Sequence, residues 1–177
     1  MTFTQHYDSP LGGILLAADE IGLNGLWFDG QKYFARGLSS EREERELPVL
    51  LEAKRWLDIY FTGKEPDFLP PLHPVGSAFR QSVWEILLQI PYGKTTTYGE
   101  IACKLAEKQK LPRMSAQAIG GAVGHNEISI IIPCHRVVGT NGSLTGYAGG
   151  INKKVKLLEL EHADMRGFFV PKKGTAR

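Results

Sequence analysis

Ile130-Ile131-Ile132-Pro133-Cys134-His135-Arg136-Val137-Val138 is the stretch on which the reading of this 177-residue chain turns. Three consecutive β-branched residues predict a strand buried on both faces. Pro133 cannot donate to a ladder and should end the pairing. A thiol, an imidazole and a guanidinium follow, where an apolar segment meets a polar pocket. A free Cys titrates near about 8.5, so little of it is thiolate at neutral pH unless a base or a positive charge lies close. Most free cysteines are buried and inert. Pro on one side of Cys134 and His-Arg on the other favour a reactive one. On an extended segment Cys134 and His135 would point to opposite faces, so they would communicate through a turn or a water.

Downstream, Gly139-Thr140-Asn141-Gly142-Ser143 is a turn cluster, and Thr145-Gly146-Tyr147-Ala148-Gly149-Gly150 a glycine-rich loop. No Gly-Lys-Ser/Thr follows it, so it does not read as a phosphate loop. Asn152 is placed to cap a last helix in which Ile151, Val155, Leu158 and His162 keep helical spacing. Residues from Gly167 on are basic and expected to be loosely ordered.

Upstream, Ser77 can cap a helix to about Ile90 whose apolar face is Phe79, Val83, Trp84, Leu87 and Leu88. Thr97-Tyr98-Gly99-Glu100 is a capping box opening a short helix to about Glu107. Cys103 in that helix has no His or charge cluster beside it and reads as structural. Lys108 to Arg113 is a basic turn, and a second short helix runs from Ser115 to Gly124. Two short helices joined by a turn suggest a helix-turn-helix. Gly120 and Gly121 together cost that second helix about 2 kcal/mol relative to alanine. Bare backbone there suits close approach to another surface, either a neighbouring helix or a nucleic-acid groove. Asn126 suits the helix end.

The N-terminal region reads as three strands, Phe3 to Tyr7, Ile14 to Ala18 and Leu23 to Phe28. A helix from Leu47 to Phe61 follows, with apolar residues at 50, 53, 57, 60 and 61 and with Trp56 and Phe61 as anchors. Gly63 ends it. Lys64 to Ser77 carries Pro66, Pro70, Pro71 and Pro74 and should be an extended connection. The fold class expected is α+β: a small sheet-plus-helix domain over residues 1–70, then a mostly helical domain over 71–177 that contains the helix-turn-helix.

Composition excludes several classes of function. No apolar run approaches the length of a membrane span, and the first residues lack a basic segment followed by an apolar one, so neither a span nor a signal peptide is expected. Two cysteines allow neither a disulfide framework nor a four-Cys metal site, and a reducing cytoplasm fits. The net charge of +2 hides an asymmetry. Residues 1–76 carry 7 basic and 12 acidic side chains, and residues 77–177 carry 14 and 7. A basic half joined to an acidic half is the pattern of a polyanion-binding domain with a non-binding partner domain.

Pro133-Cys134-His135-Arg136-Val137, with its flanks from about Phe79 to Glu161, resembles the active-site region of the O6-alkylguanine-DNA alkyltransferases. The likeness is weaker across the N-terminal region. It implies double-stranded DNA bearing O6-alkylguanine as substrate and partner, with O4-alkylthymine a second candidate, no membrane, and a monomer. The alkyl group would pass to Cys134 once per molecule, without metal or organic cofactor. Some members hold a structural zinc through N-terminal Cys and His. Here His6 and His73 have no N-terminal Cys near them, so that site is not carried over.

The likeness also implies roles for individual residues. Glu161 would orient His135, which takes the thiol proton, and Tyr98 would donate a proton to the departing base. Backbone carbonyls near Cys134 and Val137 would accept from the exocyclic amine, Tyr147 would wall the pocket, and Asn126 would tie the helix-turn-helix to the active-site strand. Arg136 joins the residues expected on substrate or DNA. The glycine-bearing helix, with Gly120 and Gly121, would enter the DNA minor groove. Members present an Arg from this helix to fill the gap left by the extruded base. Gln117 stands at that position here, with Arg113 nearby as an alternative source of charge. A thiol hydrolase would account for Cys134 and His135 but not for the glycine-rich helix. A non-catalytic helix-turn-helix regulator would account for the charge but not for the Cys.

Overall fold

The computed structural model describes residues 1–171 and is α+β. Its first compact unit is Met1–Val75 together with Glu127–Ile131; its second is Gly76–Asn126 together with the chain from Ile132 on.

In the first unit, β1 (Thr2–Ser9) and β2 (Gly12–Ala18) form an antiparallel hairpin, and β3 (Leu23–Phe28) pairs antiparallel with β2. Leu15, Ala17 and Trp27 share one face of the pleat and are covered by Ala35 and Leu38. Ile14, Leu16, Leu26 and Phe28 alternate to the other face. Helix α1 (Pro48–Tyr60) packs on the sheet and buries Leu50, Ala53, Trp56, Leu57 and Tyr60. Gly63, at φ +85°, stops the chain just beyond it.

A fourth strand, β4 (Arg42–Glu44), pairs parallel to β1 and makes the sheet order β3-β2-β1-β4. It is wholly exposed and charged, so no apolar alternation announces it. Such charges also guard an open edge against further pairing. The outer edge of β3 receives two short segments. Leu23 exchanges backbone bonds with Pro71 and His73, and Leu26 does so with Glu127 and Ser129. Gly22 allows the first approach: a Cβ there would lie 2.7 Å from the Pro71 carbonyl.

The second unit contains α2 (Ala78–Leu88), β5 (Thr96–Thr97), α3 (Tyr98–Lys108), α4 (Ala116–Gly124), β6 (Val137–Val138) and α5 (Ile151–Leu160). Ser77, Thr97 and Ser115 each accept a backbone N–H of the first turn that follows. The buried face of α2 is Val83, Trp84, Ile86 and Leu87, whereas Leu88 is exposed. Trp84 Nε1 donates to the Ala122 carbonyl at 3.0 Å and ties α4 to α2. The last helix is not capped by Asn152: its N-cap is Gly150 at φ +97°, and Asn152 lies in the first turn.

The strand expected at Ile130–Ile132 does not form. These residues are buried but turn, with Ile130 at φ +70° and a bond from Ile131 N–H to the Ser129 carbonyl. The pairing that Ile128 makes with Leu26 stops before Ile130, and a strand forms again only after the cysteine, where β6 runs parallel to β5. Of the basic tail, Phe169 exchanges backbone bonds with Gly142 and Leu144, and Phe168 packs on the cluster of Val138, Leu144 and Leu158. The remainder, residues 172–177, lies outside the described residues. No helix among the described residues is long and apolar enough to cross a membrane, and none of their His, Cys, Asp or Glu group as a metal site would need.

Candidate active site

Cys134, His135 and Arg136 form a single 3₁₀ turn rather than an extended segment, and Val137 N–H closes it on the Cys134 carbonyl. All three side chains are buried, and Cys134 is a free thiol 6% exposed. The Asn126 amide donates to the Ile132 carbonyl at 2.8 Å and also bonds the thiol, which fixes the turn from the end of α4. Burial pushes the Cys134 thiol up, while the Asn126 bond and the charge of Lys154 pull it back down.

Glu161, just past α5, gathers the turn. Its Oε2 lies 2.6 Å from His135 Nε2. Arg136 Nε donates to Oε1 at 2.7 Å and Nη2 to Oε2 at 3.1 Å, and Gly93 N–H donates to Oε1 at 3.1 Å. Burial alone would raise the Glu161 carboxyl, but the bonds and charges of His135 and Arg136 outweigh it and hold it far below the usual carboxylate range. Burial lowers His135, helped by Arg136 and Lys154 and opposed by Glu161, so the imidazole is neutral. With Nε2–H given to the carboxylate, Nδ1 carries the lone pair. Among the described residues that Nδ1 is buried without a partner.

Tyr98 opens α3, and its hydroxyl donates to the Thr145 carbonyl at 3.3 Å. Burial, and then the nearby Cys134 charge, push its phenol up to about 12, so it keeps its proton. Gly146 sits at φ +78°, and a Cβ there would lie 3.0 Å from the Tyr98 hydroxyl. Tyr147 is buried edge-on to His135, with ring centroids 6.4 Å apart.

Cys134, His135, Glu161, Asn126, Val137, Tyr98 and Tyr147 are therefore brought together. Arg136, expected to contact substrate or DNA, is instead buried: it grips Glu161 and donates to the Ile90 carbonyl at 2.7 Å. Gln117 and Arg113 are exposed, on and before α4. Around Gly121 and Gly124 a Cβ would meet nothing within 4 Å, and at Gly120 only the Tyr98 ring at 4.0 Å. Packing within the chain does not require Gly121 to be a glycine.

Sequence reasoning missed Lys154. It is completely buried, and its Nζ donates to the Val137 carbonyl at 2.6 Å and to the Thr145 carbonyl at 2.7 Å. The signal was present. Lys154 stands three residues after Ile151 and three and four before Leu157 and Leu158, on the apolar face of α5.

Two family signatures match the chain: "6-O-methylguanine DNA methyltransferase, ribonuclease-like domain" over residues 3–74, and the DNA binding domain of the same family over residues 78–163. A methylated-DNA–protein-cysteine methyltransferase of Methanosarcina acetivorans is 44% identical over 88% of this chain and 95% of its own. The protein of that name from Haemophilus influenzae is 38% identical over 88% and 84%. Among solved structures, Mycobacterium tuberculosis OGT in complex with DNA superposes with a TM-score of 0.77 at 41% identity, covering 90% of this chain and 92% of that one.

Proposed function

The chain belongs to the 6-O-methylguanine DNA methyltransferase family, and from that membership we infer that it repairs DNA by moving the alkyl group of O6-alkylguanine onto Cys134. The observation that carries the residue assignment is the buried Glu161–His135 pair beside the thiol, with a vacant Nδ1 lone pair.

The step is a displacement at carbon. His135 Nδ1 takes the thiol proton, directly or through one water, and Glu161 stabilises the imidazolium that forms. The Cys134 thiolate attacks the alkyl carbon. A sulfur–carbon bond forms, the bond from carbon to O6 breaks, and its electron pair leaves with the guanine. Tyr98, which keeps its proton at neutral pH, donates it to the departing base. The Val137 carbonyl already accepts from Lys154. A carbonyl oxygen has two lone pairs, and the second serves the exocyclic amine of guanine. The thioether has no hydrolytic exit, so each molecule reacts once.

To reach a buried thiol the base must leave the duplex stack, at a cost of a few kcal/mol. Helix α4 supplies the contact that holds the opened duplex. Its outer face is Ala116, Gln117, Ala118 and Gly121, low enough for backbone to approach a minor groove. Gln117 fills the vacated stack and Arg113 contributes charge from the preceding loop. In this reading α3 and α4 act as a helix-turn-helix, residues 71–177 carry the chemistry, and the two free thiols suit the cytoplasm.

Intact-protein mass spectrometry after mixing with a duplex containing O6-methylguanine tests the reaction. One methyl per protein, mapped to Cys134, is expected. Continued turnover, or methylation of Cys103 in its place, would refute it.

A further inference from the structure

With Cys134 a thiol, the buried cluster holds one cation with no anion beside it. Arg136 is matched by Glu161, and burial keeps His135 neutral. Lys154 is left over: among the described residues its ammonium forms no salt bridge, and its two acceptors are uncharged carbonyls. A buried cation without an anion is costly, and some feature of the site must offset it.

The 3₁₀ turn shows what does. Val137 N–H closes the turn on the Cys134 carbonyl, and the carbonyl of that same residue receives Lys154 Nζ, so the ammonium is anchored where the turn bearing the nucleophile ends. The other acceptor, the Thr145 carbonyl, is shared with the Tyr98 hydroxyl. We propose that Lys154 is the counter-cation of the Cys134 thiolate and, through the same ammonium, the clamp that holds the loop bearing Tyr147 against β6. The proposal rests on Cys134 being the alkyl acceptor.

Both bonds of Lys154 go to backbone carbonyls of the turn and the loop, so it acts through them and is a positioning residue. The groups that interact with the thiol are Asn126 from the end of α4, Tyr98 from α3 and Lys154 from α5, while His135 and Arg136 of the same turn are joined to Glu161 at the end of α5. Among them Lys154 is the cation not already matched by a carboxylate. Burial lowers Lys154 to about 8, and the charge on Cys134 holds it up. The same pairing pulls the thiol down. When the thiol proton moves to His135, the net charge of the cluster is unchanged: the ammonium faces the thiolate, and the new imidazolium faces Glu161.

Lys154→Met keeps the stem and removes the charge; Lys154→Gln keeps one donor for a carbonyl. Both are compared with wild type across pH, by methyl uptake from an O6-methylguanine duplex and by iodoacetamide alkylation of Cys134 followed by peptide mapping. The reactive midpoint should move up by a pH unit or more, so that the rate at pH 7 falls about tenfold or more and rejoins wild type above both midpoints. Equal loss at every pH, with the midpoint unmoved, would reduce Lys154 to a clamp and overturn the proposal. Should both variants fail to fold, the ¹⁵N signal of Lys154 Nζ decides in chains that retain the lysine. It should lose its proton about one pH unit lower in Cys134→Ser than in wild type, and coincident titrations would overturn the pairing. A wild-type chain with these midpoints that takes no methyl from DNA would refute the assigned reaction and leave the ion pair standing.

Discussion

Glu161 accepts from two side chains and a backbone amide, and it is the anion that permits Arg136 to be buried. Glu161→Gln would leave that guanidinium without its charge partner, at a cost of about 3–5 kcal/mol. Urea denaturation should show that loss, and methyl uptake should slow with it. The pH response has two limbs. Glu161 is depressed in the folded chain, so its contribution is complete above the unfolded value of about 4.3 and is lost as pH falls below it. His135 is also lowered, so below about 6.5 the unfolded chain binds a proton that the folded chain refuses, and stability falls there as well. Thermal melts from pH 7 to 5 should therefore decline, and His135→Gln should flatten that limb. The neighbouring Cys134 and His135 could be read from the sequence because they are adjacent and chemically unusual. Arg136 could not be read as a buried ligand of Glu161, because its partner lies far downstream and a cation in a basic half suggests DNA. In sequence Lys154 looks like one more solvated charge beside Lys153, although its spacing from Ile151 and Leu158 puts it on the apolar side.

Helix α4 carries three glycines, Gly120, Gly121 and Gly124, and its own packing requires none of them. Gly121 is exposed, in helical geometry, with open space where a Cβ would go. Gly121→Ala should therefore stabilise the fold by up to about 1 kcal/mol, while weakening binding to a DNA duplex, because the methyl would hold the helix off the groove. Unchanged affinity in a fluorescence anisotropy titration would remove α4 from the interface. On the same helix, Gln117→Arg should tighten binding and steepen the dependence of log K on log salt by about 0.9. The helix ends were readable because Ser77, Thr97 and Ser115 stand immediately before apolar periodicity and cap by a local mechanism. Ile130-Ile131-Ile132 misled for a physical reason. β-branching measures fit to a buried, pleated surface, and these residues are buried, but a tertiary turn holds Ile130 at φ +70° and takes the backbone out of any ladder.

The chain contributes to its first unit twice, once up to Val75 and again at Glu127–Ile131. The Pro-rich stretch is visible where the first run ends; nothing in local composition marks the return, because the partner of Ile128 is Leu26, near the other end of the sequence. Glu127 also accepts from Trp27 Nε1 at 2.6 Å, and Ile128, Ile130 and Ile131 are buried. This second run leads directly into the turn that carries Cys134. A fragment of residues 76–177 would keep every group of the candidate site, yet would lose the backbone partners of Glu127 and Ser129 and uncover part of those three isoleucines. Fully burying one such side chain is worth about 1.5–3 kcal/mol, against a total domain stability of about 5–15 kcal/mol. The fragment should therefore be marginally folded and slow to accept a methyl group, and adding residues 1–75 as a separate chain should restore both properties. Amide dispersion in a ¹H–¹⁵N spectrum and single-turnover methyl uptake, each measured with and without the added piece, check this. A fragment that is fully dispersed and fully active alone would show that the geometry of Cys134 does not depend on the strand pairing made by the residues before it.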